Sequence, residues 1–247
     1  MDKIVNCVGE ENYNTFGTLM RIIEYIDSSN IIVEFQDEFK YKKKTQYVNF
    51  KTGRVKNPYD KTVFGVGFLG DGKHGSWKNR RNSRDTYLVW IAMLQRCYVD
   101  LKGKQKPYYG IATVCDEWLN FQNFAEWYEN HYYDIPNERL HIDKDIKIKN
   151  NKIYSPDTCI LIPQKINEVF RENKRKPIDG DLPITIRRCK NGYKVSFRSE
   201  NLGTYKTVEE CIDIYSQKKI DYIKKLVEEY GNLLPHEVAE TLLQWKP

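Results

Sequence analysis

In LHIDKDIKIKNNKIYSPDTCILIPQKINEVF, residues 140–170, polar and apolar side chains first alternate and then fall into helical spacing. The alternation predicts a strand with His141, Asp143 and Asp145 on one face. A loop rich in Lys and Asn follows. A second strand over residues 158–162 is closed by Pro163, and a helix carrying Asn167 comes next. Carboxylates on a strand opposite an amide on the following helix make an oxygen-donor site for a hard cation such as Mg2+. The same carboxylates also read as ordinary surface groups, with Lys144, Lys147, Lys149 and Lys152 at hand to pair with them.

Around this stretch the chain looks like equipment for holding a polyanion. It has 247 residues, 40% of them hydrophobic and 13% aromatic, enough for two or three small domains with real cores. Lys and Arg total 40 against 34 Asp and Glu, a net charge of +6, which favours a polyanionic partner without demanding one. No apolar leader follows Met1, Asp2 and Lys3, and no apolar run reaches membrane-spanning length. A cytoplasmic protein, in a host cell if phage-encoded, is expected. The six cysteines form no CxxC pair, so reduced thiols are expected. A structural zinc on Cys97, Cys115 and Cys159 is not, because zinc ligands usually come as close pairs.

Residues 1–72 read as a small β domain, a twisted antiparallel sheet or SH3-like barrel. FGTLMRIIEY, NIIVEFQD and TQYVNFKTG are its strands, and Asp27, Ser28, Ser29 and Asn30 are a turn. Lys40, Lys42, Lys43 and Lys44 read as a solvated hairpin tip that can also touch phosphate. GVGFLGDGKHG lacks the strand–loop–helix spacing of a phosphate-binding loop and reads as a linker or flexible loop. Lys73, Lys78, Arg80, Arg81 and Arg84 follow with no acid among them, a candidate backbone-contacting arm.

In the central region, residues 73–176, YLVWIAMLQRCY carries a helical stripe of Tyr87, Trp90, Ile91, Leu94 and Tyr98. IATVC reads as a short strand. A helix over residues 116–128 has its own stripe of Trp118, Phe121, Phe124, Ala125 and Tyr128. Aromatics at this spacing are mainly packing, so Trp90, Trp118 and Trp127 are expected behind the 140–170 unit. RENKRKPIDGDLP, with Lys174, Arg175 and Lys176 before Pro177, reads as a basic linker.

Residues 177–247 then give three strands and a long helix. LPITIRRCK meets GYKVSFRS at Asn191 and Gly192, a strong hairpin signal. Lys194, Ser196 and Arg198 alternate with Tyr193, Val195 and Phe197. LGTYKT leads to a helix with a capping box, Thr207 and Glu210, and a stop at Gly231 and Asn232. A last helix, PHEVAETLLQW, packs through Val238, Leu242 and Trp245.

The order strand, loop, strand, helix resembles the ββα-metal unit of HNH nucleases, in particular phage homing-type endonucleases. TCILIPQKIN is similar to the family's NL-x-W-V-x-x-x-x-N segment, whose last Asn is a metal ligand. The resemblance extends over residues 87–170, through the Y-x-x-W-x-x-M-x-x-R-C-Y run at 87–98 and DEWLNFQNFAEW at 116–127. It implies Asn167 and Asp145 as ligands of Mg2+ or Mn2+. The family's general-base His falls at Ile146, so His141 or Asp143 is left as the candidate base. Residues 184–230 resemble an AP2-type DNA-binding domain through G-Y-x-x-x-F and L-G-x-Y-x-T-x-E-E-C. That implies double-stranded DNA on the exposed sheet face, at Arg187 or Arg188, Lys194, Ser196 and Arg198. The sequence thus predicts an α+β protein that is a site-selective DNA endonuclease. Two alternatives stay open: a non-cleaving DNA-binding regulator on a degenerate HNH scaffold, and a phage factor that binds a host protein.

Overall fold

Short β-rich runs, turn residues and several helical periodicities produce a mixed α and β chain, seen here in a computed structural model. It describes residues 7–75, 86–100, 109–171, 180, 182, 183 and 185–247. By contact the chain divides once, into Met1–Asn130 and His131–Pro247. The expected domain edges after residues 72 and 176 are not edges of these units.

The first unit opens with an antiparallel meander of β1 (Glu11–Tyr13), β2 (Leu19–Asp27), β3 (Asn30–Phe35) and β4 (Lys42–Thr45). Ile31, Val33 and Phe35 alternate inward and meet Met20, Ile22, Phe50 and Val55 in one core. Asp27 shapes the β2–β3 turn, its Oδ1 accepting the Ser29 N–H at 2.7 Å. Two expectations are corrected. The lysines at 42–44 are not a hairpin tip. They are the edge strand β4, and Lys42 lies opposite Glu34, 3.5 Å away. Lysines are what protects an open edge from pairing with another chain. TQYVNFKTG is not a strand either: Tyr47–Lys51 is a helical turn, α1. Phe50 faces the core, and the Tyr47 hydroxyl donates to Glu10 Oε2 at 2.8 Å.

The glycine-rich segment after α1 is tied down, unlike a linker. Phe68 is buried, its N–H donates to Leu119 O and its carbonyl accepts from Phe121 N–H, both at 2.9 Å. The Gln122 amide donates to the Leu69 and His74 carbonyls at 3.0 and 2.9 Å, and its oxygen accepts the His74 N–H at 3.0 Å. This tether explains why the helix expected over 116–128 is broken. It forms as α3 (Asp116–Leu119) and α4 (Phe121–His131), with Asn120 extended between them, because Phe68 takes up the backbone groups on either side. Helix α2 (Thr86–Tyr98) buries Trp90, whose indole N–H donates to Trp118 O at 2.7 Å. A short strand, β5 (Thr113–Val114), lies between α2 and α3.

The second unit begins with β6 (Leu140–Asp143). A long loop containing the two-residue strand β7 (Ile153–Tyr154) leads to β8 (Ile160–Pro163) and α5 (Gln164–Phe170). β6 and β8 pair antiparallel, His141 opposite Ile162 and Asp143 opposite Ile160. A three-stranded antiparallel sheet of β9 (Ile186–Cys189), β10 (Gly192–Phe197) and β11 (Glu200–Tyr205) follows, with β10 central. Helix α6 (Val208–Tyr230) starts at the expected capping box: Thr207 Oγ1 accepts the Glu210 N–H at 3.2 Å, and Glu210 Oε2 accepts the Thr207 N–H at 3.1 Å. The chain ends with α7 (His236–Leu243).

At about 1.5 Å per residue, the 23 residues of α6 span about 34 Å and serve two cores. The N-terminal half packs Val208, Cys211 and Tyr215 against Ile186 and Val195 of the sheet. The C-terminal half packs Ile223 and Leu226, with Val238 and Leu242 of α7, against Ile146, Ile160, Ile162, Ile166 and Val169. The strand–strand–helix unit and the three-stranded module therefore share one helix, and a boundary at residue 176 does not separate them. Among the described residues no helix is long and apolar enough to cross a membrane.

Candidate functional site

Burial alternates along residues 141–146, with Ile142, Lys144 and Ile146 inside and His141, Asp143 and Asp145 on the other side. The strand pairing itself stops at Asp143. Helix α5 lies against β6 and brings Asn167 to His141, its Nδ2 3.0 Å from His141 Nδ1. These two side chains, 26 residues apart in sequence, are the polar pair that the strand–strand–helix arrangement creates.

The helix is held in place by Glu138. One carboxylate oxygen accepts the Lys165 N–H at the start of α5 at 2.6 Å, and the other accepts the Tyr230 hydroxyl of α6 at 2.5 Å. Lys165 Nζ adds an ion pair to Glu229 at 2.8 Å. A carboxylate at a helix N-terminus satisfies an otherwise orphaned N–H and complements the helix dipole.

The carboxylates after His141 have structural partners. Asp143 Oδ1 accepts the N–H groups of Asp145 and Ile146 at 2.8 and 3.0 Å, folding the chain over at the end of β6. Burial pushes the Asp143 carboxyl above its ordinary range, against the opposing pull of those two N–H groups. Asp145 accepts from Lys144 Nζ at 2.7 Å. Lys144 is only 5% exposed, and its ammonium also donates to Asn151 O at 2.6 Å. Ile146 belongs to the core beneath α6 and α7. Among the described residues no three His, Cys, Asp or Glu side chains gather to hold a metal ion, and no disulfide joins any of the six cysteines.

The second candidate surface is the open face of the three-stranded sheet. Register decides which cations it carries. Arg187 lies opposite Lys194, both exposed, while Ile186 and Val195 point to α6. Neither Arg187 nor Lys194 has a side-chain hydrogen bond or ion pair among the described residues. Thr204 lies beside Lys194, and Asn201 beside Ser196 past a bulge at Leu202. Of the two arginines, Arg188 pairs with Tyr193 and so sits on the helix side. The strand ends at Phe197, and Arg198 and Ser199 form a two-residue turn with φ of 45° and 72°. That turn carries the Arg198 guanidinium over the Tyr222 ring of α6, 5.1 Å from its centroid, away from Lys194 and Ser196. Arg187, Lys194 and Ser196 are brought together; Arg188 and Arg198 are not.

Lys78, Arg80, Arg81, Arg84, Lys174, Arg175 and Lys176 lie outside the described residues. Sequence reasoning missed the burial of Lys144 and the clamp at Glu138. The alternation of Ile142, Lys144 and Ile146 was the available signal for the first; the second depends on tertiary contacts alone.

No protein-family model matches this chain, and neither does any curated protein or any solved structure.

Proposed function

We propose that this protein is a double-stranded DNA endonuclease that holds its target on an AP2-like sheet and hydrolyses the phosphodiester backbone at a ββα-metal-like unit. The observation that carries this reading is the 3.0 Å approach of Asn167 to His141 across that unit. An amide oxygen and nitrogen exchange places by rotation about the Cβ–Cγ bond. With its oxygen toward His141, Asn167 accepts the Nδ1–H and fixes the tautomer with an unprotonated Nε2, the form in which an imidazole acts as a base. Asn167 is then the positioning residue for the His141 base. The roles follow chemistry already seen where a base is oriented by a third group.

A Mg2+ or Mn2+ ion takes oxygen donors, and the side-chain oxygens of Asp145 and Asn167 have that chemistry. Asp145 gives one oxygen to Lys144 and is 44% exposed. These two residues would hold the ion, Asn167 through the oxygen lone pair that His141 leaves unused, and the ion would supply charge neutralisation at the phosphate and a more acidic bound water. DNA is held by Arg187, Lys194 and Ser196 on the open sheet face, with Asn201 and Thr204 beside them.

A second reading, a DNA-binding protein that does not cut, is favoured by a specific observation: Asp143 and Asp145 are committed to shaping the loop, and Ile146 is in the core. Fluorescence anisotropy on a labelled duplex across a salt series tests what both readings share. Affinity should fall steeply with salt and require no metal. Absence of duplex binding removes both readings, and nicking of supercoiled plasmid separates them.

A further inference from the structure

The loop between β6 and β7 is closed by its own side-chain and backbone hydrogen bonds. It is built rigidly. The Asn151 amide donates to the Lys144 and Ile153 carbonyls at 2.9 and 2.6 Å and accepts the Ile153 N–H at 3.2 Å. The Asn151 N–H donates to Ile148 O at 3.1 Å, and the buried Lys144 ammonium reaches the Asn151 carbonyl from below. Asn150 takes the left-handed conformation at φ 61° to close the turn. The tip this scaffold displays is Ile148, 52% exposed, directly between Lys147 and Lys149, with Lys152 following. Lys147 reaches Glu237 at 3.4 Å, and Lys149 and Lys152 are exposed. With Lys144 and Asp145 paired to each other, the loop presents three further cations and no further acid.

An exposed isoleucine on an ordinary surface needs no explanation. Here it opens the 148–151 turn, which is fixed by a buried lysine and a four-way asparagine, and it is flanked by lysines on both sides. An apolar wedge bracketed by cations fits one class of partner: the duplex, where the lysines meet phosphates and the wedge enters a base step from the minor groove. The loop leaves β6 at Asp143, two residues or about 7 Å beyond His141, and Ile148 follows five residues later.

We propose that the 144–153 loop is a DNA-distorting wedge, with Ile148 unstacking a base step and Lys149 and Lys152 holding the adjacent phosphates. This rests on the DNA-binding reading and adds to it a deformation of the substrate. It favours flexible pyrimidine–purine steps, which cost least to unstack.

The test uses closed circular plasmid relaxed by a metal-independent topoisomerase in EDTA, with the full chain bound. Unstacking at each bound molecule should leave a linking-number shift after protein removal. Ile148→Ser should abolish the shift while plasmid binding weakens about tenfold or less, the scale of half an isoleucine's burial. Ile148→Leu should retain the shift. Lys149→Gln should reduce the slope of log affinity against log salt by about 0.9. A shift that is absent with wild type, or equal in Ile148→Ser, overturns the wedge while leaving DNA binding standing. Failure of wild type to bind plasmid at all overturns the DNA reading beneath it.

Discussion

Replacing Lys144 with methionine removes the charge that fixes the loop and keeps the aliphatic stem that packs beneath it. Two hydrogen bonds from a charged donor are lost, one to Asp145 at 2.7 Å and one to the Asn151 carbonyl at 2.6 Å. Bonds of this kind contribute about 1.5–3 kcal/mol each. Asp145 recovers part of its share from water, being nearly half exposed, whereas the Asn151 carbonyl loses a partner at the foot of the loop. Removing one member of a largely buried pair is therefore expected to cost about 2–3 kcal/mol net. For a unit of this size that lowers the melting midpoint by about 8–12 °C. Differential scanning calorimetry is the assay, because it can separate the transitions of the two units. Amide exchange should show the accompanying loss of protection at Asn151, whose N–H donates to Ile148. A midpoint that stays within about 2 °C of wild type, or rises, would refute the claim that Lys144 is the strut of this loop.

Three further outcomes follow from individual contacts. The Asp143 pKa is raised in the fold, so the folded state holds its proton to higher pH than the unfolded chain does. Stability should therefore fall as pH rises from the ordinary carboxylate range through the raised value, then level off. Asp143→Asn, which keeps an oxygen for both N–H groups, should flatten that fall and match or exceed wild type at pH 7, whereas Asp143→Ala should lose about 1–2 kcal/mol in urea unfolding. On the sheet, Arg187→Ala and Lys194→Ala should each lower the salt slope of duplex binding by about 0.9, while Arg188→Ala and Arg198→Ala leave it unchanged in the same titration. Gly192 has φ 135°, and an added Cβ would run into the Tyr205 carbonyl, so Gly192→Ala should destabilise the β9–β10–β11 sheet by about 1–3 kcal/mol in calorimetry.

The alternation at 140–146 and the apolar run closed by Pro163 were enough to read strand, loop, strand and helix, because each element's period is local. The capping box and the Asn191–Gly192 hairpin were legible for the same reason. Lys42, Lys43 and Lys44 misled because strand propensity disfavours lysine, yet an edge strand uses it to stay unpaired. Tyr47 and Phe50 misled because an aromatic run this short fits a strand and a single helical turn equally well. The helix over 116–128 broke at Asn120 because its backbone groups were claimed by Phe68, some fifty residues earlier. Site residues were legible as types and faces, and less so as partners. That His141 meets Asn167, that Arg198 folds back onto Tyr222, and that Lys144 is buried are all decided by packing between elements. The length of α6 was visible; that it serves two cores was not, because its apolar stripe reads the same whichever element covers it.

The most direct test is nicking of supercoiled plasmid DNA carrying a pool of target sequences, with Mg2+ or Mn2+, by wild type, His141→Ala and Asn167→Ala. The wild type should convert plasmid to the open circular form. Both variants should bind the plasmid as wild type does and nick it at least about a hundredfold more slowly, the scale expected for losing a general base or its orientation. A wild-type protein that binds plasmid tightly yet nicks nothing with either ion, or variants that nick at the wild-type rate, would contradict the assignment of His141 and Asn167 to phosphodiester hydrolysis.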